Sequence, residues 1–353
     1  MRTQSGNPAT ATAGKREPPK RKKAHMKLLV IGDENRFRKY LPDLAIVEET
    51  EVVVAERGTP DDEIAEHAGN VDFIAADAVS PVSAGLMDAF PSLKLIHSEG
   101  VAFNAIDVAA ARERGIVVCN NAGVNAGAVA EQAVLLMLAC LRHAVEGDRA
   151  VRAGRQIQVK ERLMVEGIRE LGDCSVGLVG MGAIARETAK RLNAFGCDVA
   201  YWNRTKRNAE TEQQLGVRYL PLEELARTCD IVSIHVPVTP ETENLVNAEF
   251  LATMKQDAIL VNTARGEIVD QVALATALEA GTIAAAGLDT LSPEPVPADH
   301  PLVTLSDAAA LRVVLSPHIG GVTEGMFRRA WTNIWNNIAR VARGEQPDNI
   351  VSA

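Results

Sequence analysis

From residue 27 onward, short apolar runs alternate with amphipathic stretches. Runs at 28–31, 52–55, 73–75, 93–96 and 116–118 are apolar at nearly every position, as strands buried on both faces must be. Between them, 61–68, 83–89 and 105–114 repeat apolar residues at helical spacing. Such alternation predicts a parallel sheet joined by right-handed crossovers. A long helix is predicted over 126–151. Its centre is apolar on nearly every face, so it must be buried, between domains or between subunits. The alternation then restarts with six strands, at 175–179, 199–202, 231–235, 258–261, 283–288 and 313–315, enough for a complete doubly wound sheet. A last helix over 323–343 carries Trp331 and Trp335 on one face.

Length and charge narrow this picture. With 353 residues the chain exceeds what one core usually supports, so two domains are expected. A net charge of −9 argues against a general affinity for nucleic acid or an anionic membrane. The longest apolar run, 133–141, is too short to span a bilayer. Five scattered cysteines, with no C-x-x-C pair, suggest neither a zinc site nor a disulfide framework, and they suit a reducing, cytoplasmic compartment. Residues 1–25 differ in kind: Ser, Thr, Pro and Gly lead into a basic cluster at Lys20–Lys23 with no apolar stretch after it, which reads as a disordered extension and not a secretory signal.

The strongest local motif follows the strand at 175–179. Gly180, Met181, Gly182, Ala183, Ile184 and Ala185 form G-x-G-x-x-A and open a helix. Gly180 permits the tight turn, and Gly182 leaves the backbone open to a pyrophosphate at the positive end of the helix. Gly32, after the first strand, has no second glycine at that spacing, so the first unit is a poor nucleotide binder. About twenty residues beyond the fingerprint, an NAD-specific site normally places Asp or Glu. Here stand Asn203, Arg204 and Thr205, with Lys206 and Arg207 next. Such a cluster attracts a 2′-phosphate, which favours NADP. A solvated basic loop, with NAD as cofactor, is the alternative.

Three ionisable residues follow strands in the second half: Arg265, Glu294 within Ser-Pro-Glu-Pro, and His318 within Ser-Pro-His-Ile-Gly-Gly. The C-terminal edge of a parallel sheet is where such folds place their chemistry. With these residues, the fingerprint, and the runs His235-Val236-Pro237, Thr239–Thr242, Asn262–Asp270, Gly287–Pro295 and Ser316–Thr323, the chain from Met26 to Val351 resembles the D-isomer-specific 2-hydroxyacid dehydrogenase family.

The resemblance implies two Rossmann-like domains with parallel sheets and an active site in the cleft between them. Residues 26–125 plus 320–353 would form the substrate-binding domain, and 126–319 the dinucleotide-binding domain. It implies that Arg265 grips the substrate carboxylate, that His318 exchanges a proton with the carbonyl oxygen as hydride moves, and that Glu294 fixes and charges the His318 ring. It places Thr242, Thr263, Ala264, Asp289 and Gly320 at the cofactor, with Asp289 near the carboxamide. It assigns the substrate carboxylate to the loop Gly100, Val101 and Ala102, although Ala102 stands where a second glycine is common. It also makes the apolar helix a dimerisation arm, so a homodimer is expected.

The substrate implied is a small 2-oxo or 2-hydroxy acid of glyoxylate or hydroxypyruvate type. Relatives acting on phosphorylated acids resemble one another in an Arg after the third strand, where this chain has Asp77, and no regulatory domain follows the last helix. Both features argue against D-3-phosphoglycerate. A corepressor-like, nucleotide-sensing scaffold is the alternative outside enzymology.

Overall fold

A computed structural model describes residues 26–351, so the extension expected over 1–25 lies outside the described residues. The first sheet contains β1 (Met26–Ile31), β2 (Thr50–Ala55), β3 (Phe73–Ala76), β4 (Leu95–Ser98) and β5 (Val117–Cys119), all parallel, in the order β2-β1-β3-β4-β5. The second contains β6 (Ser175–Val179), β7 (Asp198–Trp202), β8 (Arg218–Tyr219), β9 (Ile231–Ile234), β10 (Ile259–Asn262), β11 (Ala285–Leu288) and β12 (Val313–Leu315). Its order, β12-β11-β10-β9-β6-β7-β8, runs outward from β6 in both directions, so the topology reverses between β6 and β9. The sheet has seven strands where six were expected. The additional β8 is two residues long, and neither is part of an apolar run.

The helix expected over 126–151 is two helices, Ala126–Leu141 and Ala144–Arg152, bent by 58°. His143 at the break adopts φ 50°. No glycine or proline marks the site, so periodicity could not reveal it. The all-round apolarity of the first helix is largely explained within one chain. Ala133, Leu136, Met137 and Cys140 pack with Val176, Leu178 and Val261 of the second sheet. A Cβ on Gly287 would stand 2.8 Å from Leu136 Cβ, so β11 carries glycine where the helix crosses it.

The last helix, Glu324–Ala342, returns to the first sheet, burying Trp331, Ile334, Trp335 and Ile338 against Leu28, Val30, Phe73 and Leu95. Phe37 meets Trp331 edge to face at 4.9 Å. The chain therefore passes between the sheets twice. Arg329 ties the two crossings together by donating from Nε and Nη2 to the Val124 carbonyl, at 3.2 and 3.0 Å.

One buried imidazole links this packing to pH. His97 on β4 donates from Nδ1 to the Ser98 carbonyl at 2.8 Å and accepts at Nε2 from Asn337 Nδ2 at 3.1 Å. Both ring nitrogens are used in the neutral form, and burial lowers its pKa from 6.5 to about 4. The folded state resists protonation, so this contribution, about 3 kcal/mol, is fully present above pH 6.5 and is lost as pH falls through 4. Unfolding free energy should decline over that interval, and His97→Gln, which takes up no proton, should lose that part of the slope. Identical acid slopes in both proteins would contradict the assignment.

Candidate active site

Strand register brings the predicted residues to one edge. Val179 pairs with Trp202 and Ile234, Ile234 with Asn262, Asn262 with Leu288, and Leu288 with Leu315. The next residue of each strand therefore leaves the sheet in one row: Asn203, Gly180, His235, Thr263, Asp289 and Ser316. Five inter-strand spacings make this row about 24 Å long. That suits an extended ligand laid across strand ends at the reversal point.

The glycine-rich turn begins the row. Gly180 has φ 105°, and a Cβ there would stand 2.8 Å from the His235 carbonyl. Gly182 caps the helix Ala183–Phe195, and a Cβ on it would meet nothing within 4 Å. The fold itself does not require that glycine, but an approaching ligand does. Gly32 gives the contrast, because its missing side chain is replaced by Arg36 and Asp77 at 3.4 and 3.5 Å. Further along, the Thr263 and Thr290 hydroxyls are buried with no partner among the described residues, two polar groups that a bound cofactor can satisfy. The residues fit a dinucleotide.

Asn203 serves the turn. Its Oδ1 accepts from Met181 N at 3.2 Å and its Nδ2 donates to the Thr205 carbonyl at 2.9 Å. Arg207 Nη2 donates to the Met181 carbonyl at 2.9 Å, and Lys206 lies 3.7 Å from Glu212. Of the three basic residues, Arg204 alone is exposed and forms no ion pair among the described residues. The cluster read from sequence thus reduces to one available guanidinium. Across the reversal point, His235 Nε2 lies 2.9 Å from Ser233 Oγ, and burial lowers its pKa to about 4, so the ring is neutral. Thr242 Oγ1 donates to the Pro237 carbonyl at 2.6 Å and accepts from Thr239 N at 2.8 Å, which shapes the loop carrying Val236 and Pro237.

At the far end of the row, Asn262 holds the loop of Arg265. Its Oδ1 accepts from Ala264 N at 2.9 Å, and its Nδ2 donates to the Arg265 carbonyl at 2.8 Å. The Arg265 guanidinium is exposed, forms no ion pair among the described residues, and uses only Nη1, on the Ala264 carbonyl. A Cβ on Gly266 would stand 2.5 Å from Ser292 N, so this loop lies directly against the segment leading to Glu294. His318 Nδ1 sits 2.9 Å from both Glu294 oxygens. That bond directs Nε2 away from the carboxylate.

Asp289 is buried beneath this pair. It accepts from Ile319 N at 3.1 Å and Gly320 N at 2.8 Å, so it supports the His318 loop. Ser316 and Gln132 join it there, and neither was singled out by sequence reasoning. The one signal for Gln132 was its place, beside Glu131, as a polar residue in an apolar helix.

In the first sheet, the loop after β4 offers the N–H groups of Val101 and Ala102, which have no protein acceptor among the described residues. A Cβ on Gly100 would stand 2.9 Å from Ala78 Cβ, so glycine is required there, while Ala102 is not among the residues with positive φ. Asp77 differs from its expected role. It is buried, paired with Arg57 at 2.6 Å, and accepts from Val79 N and Ser80 N. These partners hold its carboxyl below the usual range despite burial. A neutralised carboxylate does not repel a phosphate, so that part of the case against a phosphorylated substrate falls.

Residues 134–320 match the family described as "D-isomer specific 2-hydroxyacid dehydrogenase, NAD binding domain". The chain is 38% identical over 289 residues to a glyoxylate reductase of Korarchaeum cryptofilum, covering 82% of this chain and 85% of that one. It is 34% identical over 310 residues to a D-3-phosphoglycerate dehydrogenase of Methanocaldococcus jannaschii, covering 88% of this chain but 57% of that protein's length. Among solved structures, D-lactate dehydrogenase with NAD+ from Lactobacillus jensenii superposes with a TM-score of 0.80 at 27% identity, covering 93% of this chain and all of that one.

Proposed function

The chain belongs to the D-isomer-specific 2-hydroxyacid dehydrogenases, and on that premise we propose that it reduces a small, unphosphorylated 2-oxo acid, of glyoxylate or hydroxypyruvate type, with NADPH preferred. The observation that carries the chemistry is the His318–Glu294 pair at the same sheet edge as Arg265, which is exposed and in no ion pair among the described residues. The nicotinamide, when bound, supplies the hydride. Arg265 binds the substrate carboxylate with its planar fork, and the N–H groups of Val101 and Ala102 donate to the same anion. His318 then donates a proton from Nε2 to the carbonyl oxygen as charge develops there, and takes it back in the reverse direction. Glu294 holds Nδ1 and so fixes the orientation of the ring.

The glyoxylate reductase relative supports the substrate class. A phosphorylated acid is the second reading, and Arg57 favours it: its guanidinium is anchored on Asp77 and its side chain is 57% exposed. NADPH preference rests on Arg204, whose chain neighbours Asn203 and Thr205 are neutral where an NAD-specific site places Asp or Glu, although Glu241 lies near enough to feel its charge. A homodimer is proposed because Val151, Ile157, Met164 and Val165, on the two helices after the break, are left exposed as apolar surface a second copy can cover. A cytoplasmic location is proposed because the five cysteines are all free and buried, as suits a reducing compartment.

The test is NADPH and NADH oxidation, followed by absorbance, with glyoxylate, hydroxypyruvate, pyruvate, 2-oxoglutarate and 3-phosphohydroxypyruvate in parallel. The first two should give the highest kcat/KM. Arg204→Ala should lower the NADPH-to-NADH ratio of kcat/KM by about tenfold or more, the worth of one charge-assisted phosphate contact. An unchanged ratio would remove Arg204 from cofactor selection, and a preference for the phosphorylated acid would favour the second reading.

A further inference from the structure

Beneath His318 runs a chain of hydrogen bonds that begins on a distant helix. Gln132 Nε2 donates to Ser316 Oγ at 2.8 Å, and Ser316 Oγ donates to Asp289 Oδ1 at 2.5 Å. The same Asp289 oxygen takes Ile319 N at 3.1 Å, while Oδ2 takes Gly320 N at 2.8 Å. His318, one residue before these two donors, has φ 55°. A non-glycine residue keeps that conformation only where its surroundings hold it. The glycines after it are equally constrained. A Cβ on Gly320 would stand 2.8 Å from Asp289 Oδ2 and 3.2 Å from the Gln132 side chain, and one on Gly321 would stand 3.2 Å from Asn125 Nδ2. The His318 loop is thus clamped onto the first turns of the helix Ala126–Leu141, which starts where the chain crosses between the two sheets.

Proton counting fixes the direction of this chain. Ser316 Oγ has one hydrogen, and the Asp289 carboxylate, already accepting two backbone N–H groups, can only accept. Ser316 therefore gives its hydrogen to Asp289 and receives one at its oxygen from the Gln132 amide. Of the titratable groups nearby, Asp289 comes from the end of β11 and His318 from the loop after β12. Glu131, the neighbour of Gln132 in its own helix, is paired with Arg191 at 3.0 Å.

We propose that Gln132, acting through Ser316 and Asp289, is a positioning residue for proton transfer, holding the loop so that His318 presents Nε2 to the substrate while Nδ1 stays on Glu294. The proposal rests on His318 being the proton donor. It also gives Asp289 a structural task beyond any contact with the cofactor.

Three variants test it with NADPH and glyoxylate. Gln132→Met keeps the shape and removes the donor. It should lower kcat by about tenfold, the effect of one lost buried hydrogen bond, with KM for glyoxylate and Kd for NADPH unchanged. Gln132→Glu puts a second carboxylate in competition for the single Ser316 hydrogen and should lower kcat further at neutral pH. Its kcat relative to the native enzyme should then recover as pH falls from about 8 to 5 and one proton is shared between the two carboxyl groups. Ser316→Thr retains the hydroxyl and should lose much less of kcat than Gln132→Met does. A flat Gln132→Glu ratio across that range, or native kcat in Gln132→Met, or an equal loss of NADPH affinity, overturns the relay alone. Native kcat in His318→Ala overturns the role of His318 and the relay with it.

Discussion

Replacing His318 with alanine is expected to lower kcat by about 10²- to 10⁴-fold, the usual contribution of a positioned general acid. The reason is local. Among the described residues no other imidazole takes its place: His97 is buried in the first sheet, His235 is neutral and turned to Ser233, and His300 is buried with Nε2 on the Ser292 carbonyl. The Glu294 carboxylate, left behind, stood on the Nδ1 side of the ring and not on the Nε2 side from which the proton is delivered. Dinucleotide affinity should be unchanged, because the residues around Gly180 and Gly182 make no use of the ring. Kd by fluorescence and kcat by absorbance on the same preparation separate the two effects. A variant retaining native kcat would show that another group delivers the proton.

Arg265 has the second-largest expected effect. Its guanidinium is held at its base by Asn262 through the loop backbone, and only Nη1 is engaged, on the Ala264 carbonyl. The rest of the fork is free for a carboxylate, and no acidic side chain competes for it among the described residues. Arg265→Ala should lower kcat/KM by about 10²- to 10³-fold, comparable to removing a strong donor from a transition-state anion site. Arg265→Lys should restore little, since a point charge lacks the planar pair of donors. The loss should fall on both KM and kcat, because the same fork binds the ground-state carboxylate and orients the carbonyl. Native kcat/KM in the lysine variant would mean that charge alone, not the fork, is what the site uses.

Much of this site was legible because its parts are local in sequence. Gly180 and Gly182 declare themselves between a strand and a helix, and the structure gives each a separate reason: one avoids His235, the other leaves space open. Arg265, Glu294 and His318 stand just after strands that turned out to be neighbours, so one edge collects them. What was not legible depends on partners distant in the chain. Asp77 looks like a free negative charge until Arg57, twenty residues earlier, is found upon it. Gln132 is separated from Ser316 by 184 positions, and no periodicity joins them. The break at His143, where φ is 50°, carries no glycine or proline to announce it. Strand β8, at two residues, is shorter than any apolar pattern can register.

The central claim is that this edge carries out turnover and does more than sense a nucleotide. The direct measurement is the yield of glycolate against NADPH consumed when purified protein is given glyoxylate, with His318→Ala run beside it. The account predicts one glycolate per NADPH oxidised, in many turnovers per active site, and a collapse of that rate in the variant. NADPH bound with native affinity but never consumed, by glyoxylate or by any other 2-oxo acid of the panel, would contradict it and leave the scaffold reading in its place.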